Sequence, residues 1–132
     1  MRFGYTIVYV SDVPASLAFF GRAFGVETRY LLDSSDYGEL ATGETVLAFA
    51  AHTVAAGLLP AGYVAADSSE KPLGMEVTLI TDDVGAAYDR AMTAGAVSLH
   101  PPTLQPWGQT VAHLRCPDGL LVELCTPMAP PE

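Results

Sequence analysis

The chain has 132 residues, half of them apolar and 16% charged, so it is long enough to bury a core and too apolar to be disordered. Fifteen Asp and Glu against six Lys and Arg give a net charge of −9, which argues against a nucleic-acid backbone or an anionic membrane surface as partner and is compatible with a cationic or neutral small molecule. The N-terminal MRFGYTIVYV lacks the apolar segment and cleavage site of a secretion signal, and no apolar run approaches the ~20 residues of a membrane span. Two cysteines without C-x-x-C spacing read as reduced structural thiols, so a cytoplasmic protein is expected.

Tyr5–Val10 is apolar, β-branched and aromatic, the composition of a buried strand. Ser11 or Asp12 can cap a following helix, Pro14 suits its first turn, and Val13, Leu17, Phe20 and Phe24 recur on one face before Gly25 ends it. Three antiparallel strands follow, at Glu27–Leu32, Tyr37–Ala41 and Glu44–Ala51, with Thr42-Gly43 as a tight turn. Residues 57–73 hold Gly, Pro, Ser and charge without a period and read as a linker. Met75–Thr81 is the next strand, and Asp82 or Asp83 caps a helix closed by Gly95. A short strand at Ala96–Leu99 precedes a Pro-rich loop, HPPTLQPWG. Thr110–Arg115 and Leu120–Thr126 then form a hairpin around Pro117-Asp118-Gly119, ahead of an unpaired tail, MAPPE.

This order is written twice. Asp12-Val13 matches Asp83-Val84 at an offset of 71, which sets Tyr5 opposite Glu76; VLAF matches LVEL at an offset of 75, which sets Ala48 opposite Glu123. The chain thus reads as one α+β domain over 1–132, made of a first βαβββ module (4–56), a linker (57–73) and a second βαβββ module (74–127). One four-stranded sheet with one helix leaves its other face bare, so the two modules are expected to pair around a shared concave cavity. Strand alternation points Thr6, Val8, Val10, Val77, Leu79, Leu120, Val122 and Leu124 at the helices. The opposite parity (Tyr5, Ile7, Tyr9, Glu76, Thr78, Ile80, Leu121 and Glu123) lines the cavity with aromatic, aliphatic and acidic groups.

The paired modules, the SDV-helix-FG opening and the closing PWGQT…CPDGLLVEL resemble the vicinal oxygen chelate superfamily, which includes glyoxalase I, extradiol dioxygenases, fosfomycin-resistance enzymes and bleomycin-resistance proteins. The resemblance runs from Tyr5 to Pro127 and keeps the signature D-P-D-G-x-x-x-E-L except that Cys116 stands for its first Asp. It implies the glyoxalase/bleomycin-resistance/dioxygenase-like fold and a homodimer. Metal-using members take ligands from four strand positions that correspond here to Tyr5, Ala48, Glu76 and Glu123. Ala48 has no donor, and a Tyr with a pKa near ~10 is a poor ligand, so no tight metal site is expected. Any Zn, Ni, Mn or Fe ion would have to be held by Glu76, Glu123 and His113. A hairpin loop closed by a Cys116–Leu120 pair puts His113 across from Glu123, whereas a four-residue loop turns it away. His52 and His100 sit at strand or loop ends and match no ligand position.

Glu76 and Glu123 on one face could act as base and acid on a carbonyl compound, attract a cationic group, or only lend polarity to the rim. Trp107 and Gln109 fall where the resemblance places an aromatic lid and a polar contact, although an indole there can equally plug the open end of the sheet. The expectation is a small-molecule-binding protein for a cationic or aromatic ligand, contacted by Tyr5, Ile7, Tyr9, Thr78, Trp107, Gln109 and His113. The alternative is a metal-dependent lactoylglutathione lyase-like or dioxygenase-like enzyme with Glu76 and Glu123 as catalytic groups.

Overall fold

A computed structural model describes residues 1–131. The first strand, β1 (Tyr5–Val10), hands over to α1 (Val13–Phe24) through Asp12, whose carboxylate accepts from the Ala15 N–H at 3.0 Å. Gly25, at φ 68°, ends that helix in the left-handed region. The strands β2 (Thr28–Leu31), β3 (Tyr37–Leu40) and β4 (Val46–Ala51) follow, then a short helix α2 (His52–Leu58). The second module repeats the plan as β5 (Glu76–Ile80), α3 (Val84–Ala94), β6 (Val97–Leu104), β7 (Thr110–Arg115) and β8 (Leu121–Cys125). Asp83 caps α3 by accepting from the Ala86 N–H, as Asp12 does for α1. No helix among the described residues is long and apolar enough to cross a membrane.

The modules form separate four-stranded sheets with matching orders, β1-β4-β3-β2 and β5-β8-β7-β6, in which the first strand of each module runs parallel to its last. One continuous core joins them. It takes Val10, Leu47 and Phe49 from the first sheet, Leu114, Val122 and Leu124 from the second, and Phe20, Ala23, Val84 and Ala91 from the two helices. Arg90 of α3 ties the helices together, donating from Nε to the Arg22 carbonyl at 2.7 Å and from Nη2 to that of Gly21 at 3.2 Å. Those carbonyls close the last turn of α1, where a cation also meets the negative end of the helix dipole.

Parity separates the sheet faces as alternation requires. Val10, Val122 and Leu124 are buried against the helices, while Tyr5 is 60% exposed and Ile80 69% exposed on the opposite faces.

Three segments depart from the expected outline. The strand expected at Ala96–Leu99 runs from Val97 to Leu104, through Pro101 and Pro102. Because β6 is an edge strand, their missing N–H groups cost few ladder bonds, and the register breaks around them, between Ser98 and His100 and between His100 and Thr103. The helix α2 begins immediately after β4 with no side-chain cap, so no start signal marks it. The tail carries no strand or helix through Pro131, and Glu132 lies outside the described residues.

The linker does not dangle. Arg115, on the open face of β7, donates to the carbonyls of Ala66 (2.8 Å), Ser69 (2.9 Å), Glu70 (3.2 Å) and Gly119 (3.2 Å). It thereby pins the linker to the β7–β8 turn. Gly119, at φ 90°, allows this approach, since a Cβ there would lie 2.0 Å from the Ala66 oxygen.

Candidate functional site

The β7–β8 turn closes on a Cys116–Leu120 pair, the Cys116 N–H donating to the Leu120 carbonyl at 2.9 Å. His113 is therefore directly opposite Glu123. Across the second sheet one row runs Thr78, Glu123, His113, His100 on the open face. Thr78 Oγ1 donates to Glu123 Oε2 at 2.9 Å, fixing one carboxylate oxygen. His113 Nε2 stands 3.2 Å from Oε2 of Glu76 on the neighbouring row, and its ring meets the His100 ring edge-on at 6.4 Å. One donor atom each of Glu76, His113 and Glu123 lies within 4.8 Å of the others.

The equivalent row of the first sheet is Ile7, Ala48, Glu39, Tyr30. Ala48 offers no donor atom at the position that Glu123 holds in the second sheet. The four family ligand positions do not fit a metal as a set. Glu76, His113 and Glu123 do, because oxygen and imidazole donors suit Mn, Fe and Zn.

Glu39 escaped the sequence reading. It takes the position of His113 in the first module, and the signal available was its register opposite Ala48. Glu39 is 5% exposed, and its carboxylate accepts from the Tyr37 hydroxyl at 2.8 Å, with Arg29 Nη1 at 3.6 Å. Burial, then the bond to Glu39 and its charge, push the Tyr37 phenol up, so it remains a donor.

A groove of about 160 Å³ runs between β1 and β5, with Ile7, Tyr9, Tyr63, Val64, Met75 and Glu76 among its lining residues. It brings Ile7, Tyr9 and Glu76 together, with Glu76 also reaching His113. Trp107 and Gln109 do not line it. The indole Nε1 donates to Gln109 Oε1 at 2.8 Å, and Gln109 Nε2 donates to the Thr126 carbonyl at 2.8 Å, so both ends of the Gln109 amide are engaged. Trp107 itself is 58% exposed. His52, which matched no ligand position, is bonded on both ring nitrogens, to Tyr63 and to Asp67.

The thiols are buried and unpaired. Burial, then the Asp118 charge, push Cys116 up; burial, then Glu123 and Glu76, do the same to Cys125. Neither is disposed to act as a thiolate.

Two βαβββ modules, each with an open sheet face, define the class of this protein as a duplicated-module α+β fold. The sequence matches the family model of the Glyoxalase/Bleomycin resistance protein/Dioxygenase superfamily over residues 2–124, and the chain belongs to that superfamily. Its fold is similar to that of a glyoxalase-related enzyme from Fulvimarina pelagi, with TM-score 0.78 and 19% identity over 96% of this chain and 88% of that one. It is also similar to a glyoxalase/bleomycin resistance protein/dioxygenase family enzyme from Burkholderia phytofirmans PsJN, with TM-score 0.77 and 21% identity over 96% and 98% of the two chains. No curated protein sequence matches the chain.

Proposed function

We propose that this protein binds a small cationic or aromatic molecule on its open sheet faces, with the groove between β1 and β5 as the seat. The observation that carries this reading is the meeting of Tyr9, Tyr63 and Glu76 in one groove, with Glu76 continuous with His113 and Glu123 on the second sheet. Tyrosine rings offer π faces to a planar cation, and the carboxylates supply the counter-charge. The net charge of −9 draws cations toward the protein as a whole. Titration calorimetry with a single-ring aromatic cation such as benzamidinium tests it: saturable binding that weakens in Glu76→Gln supports the reading, and no heat at millimolar probe overturns it.

One observation favours a second reading, a metal-dependent enzyme of the lactoylglutathione lyase or dioxygenase kind: the 4.8 Å grouping of Glu76, His113 and Glu123. These three side chains would hold a divalent ion, which would polarise a bound carbonyl or hydroxyl oxygen. Thr78 would orient Glu123 through its hydrogen bond. Metal analysis after incubation with Mn, Fe, Ni or Zn and dialysis tests it, one ion retained per chain supporting it and none overturning it.

The uncovered apolar side chains on both open faces, Tyr5, Ile7 and Ile80 among them, support a homodimer. A monomeric mass by light scattering would reject it. Two buried free thiols are in keeping with a reducing, cytoplasmic setting.

A further inference from the structure

The hydrogen-bond chain Ser11–Asp67–His52–Tyr63 is used neither by the acidic face nor by the core. Ser11 Oγ donates to Asp67 Oδ2 at 2.6 Å, and the same carboxylate takes His52 Nε2 at 2.9 Å. His52 Nδ1 faces the Tyr63 hydroxyl at 2.5 Å. In the tautomer with Asp67 accepting from Nε2–H, the ring's lone pair lies on Nδ1, the nitrogen that faces the phenol. Burial acts to raise the Asp67 carboxyl, but bonds from Ser11 and His52 and the nearby His52 charge outweigh it and hold the group below its usual value. Asp67 is thus an anion through the neutral range. Tyr63 is 39% exposed and lines the groove between β1 and β5, with its ring 5.1 Å from that of Tyr9.

A carboxylate that orients an imidazole, which in turn accepts from a hydroxyl facing a cavity, is the arrangement that activates hydroxyl groups. A phenol buried in a core needs one partner; this one has a base behind it and a cavity in front.

We propose that Asp67, His52 and Tyr63 form a proton relay that takes the proton of a small enol or phenol seated in the groove and holds the ligand as its oxyanion. The ligand O–H bond breaks and its proton joins Tyr63 Oη, while the proton of Tyr63 passes to His52 Nδ1. The resulting imidazolium is neutralised by the Asp67 carboxylate, and nothing is oxidised or reduced. Groups facing the relay are Ser11 just ahead of α1, Tyr9 from β1 and, across the groove, Glu76 from β5. A cavity of about 160 Å³ admits a single six-membered ring with a small substituent. The site goes beyond the cation-binding reading and is tested with a different probe.

The probe is 4-nitrophenol, which is strongly coloured only as its phenolate. Titrated with the intact protein, the bound probe is expected to ionise with an acid dissociation constant about tenfold above that of the free probe, which is one pH unit. His52→Gln and Tyr63→Phe are expected to abolish the shift while their melting temperatures stay near that of the parent. No binding, a bound probe that titrates like the free one, or an unchanged shift in both variants overturns the proposal. Should His52→Gln fail to fold, nitrogen NMR of the unmutated protein decides. Binding is expected to convert His52 from one protonated ring nitrogen to two, and an imidazole that stays neutral overturns the relay.

Discussion

His113 Nε2 lies 3.2 Å from Glu76 Oε2 although the two residues are on strands that are not neighbours; β8 runs between β7 and β5, and His113 reaches over it. The contact places one imidazole among two carboxylates, which is where the cation and metal readings diverge. A metal needs the His113 lone pair, whereas an organic cation needs only the carboxylates. Glu76→Gln and Glu123→Gln are each expected to weaken an aromatic cation by about tenfold, ~1.4 kcal/mol. His113→Gln should leave that affinity nearly intact and abolish retention of Mn or Zn. Calorimetry with the cation and metal analysis, run on the same three variants, separate the readings.

Gly119 combines a left-handed φ of 90° with a backbone neighbour at contact distance, the Ala66 carbonyl. Ala at this position meets both obstacles, and the neighbour is main chain held by Arg115, so it cannot swing aside. Gly119→Ala is expected to cost about 3 kcal/mol or more, measured by urea denaturation. Gly43, also at positive φ but with open space around it, should lose only ~1 kcal/mol on the same change.

Phe49 is fully buried, faces the helices from β4 and packs 5.4 Å from the Phe20 ring. Removing it opens a cavity where both sheets and α1 share the core. Phe49→Ala is expected to destabilise the protein by about 4 kcal/mol, in one cooperative transition because the modules have no separate cores. Circular dichroism and Trp107 fluorescence should trace coincident urea curves.

The repeat was legible because both copies keep the same punctuation: Asp before each helix, Gly after it, and alternating apolar residues along β1, β5 and β8. Register then followed from one turn, since the Cys116–Leu120 closure alone decides that His113 faces Glu123. What stayed hidden depends on long-range contact. Glu39 reads as an ordinary surface acid until β3 is paired with β4, and His52 as a strand-end residue until the linker brings Tyr63 and Asp67 to it. Two prolines concealed the length of β6 because sequence pattern does not reveal which strand is an edge.

The Asp67 carboxyl is lowered in the folded protein, so the folded state binds its proton less readily than the unfolded chain does. The stability it contributes is present above the ordinary carboxylate value of 3.8 and is lost as the pH falls through the lower folded value. Acid unfolding of the parent should therefore steepen below about pH 4. Asp67→Asn removes this contribution while keeping an acceptor for Ser11 and His52. Its stability should fall most at neutral pH and converge on the parent in acid, where Asp67 is protonated in both states. Urea midpoints measured from pH 3 to pH 7 check this, and a constant gap between the two proteins across that range would show that the Asp67 charge adds nothing to the anchoring of the linker.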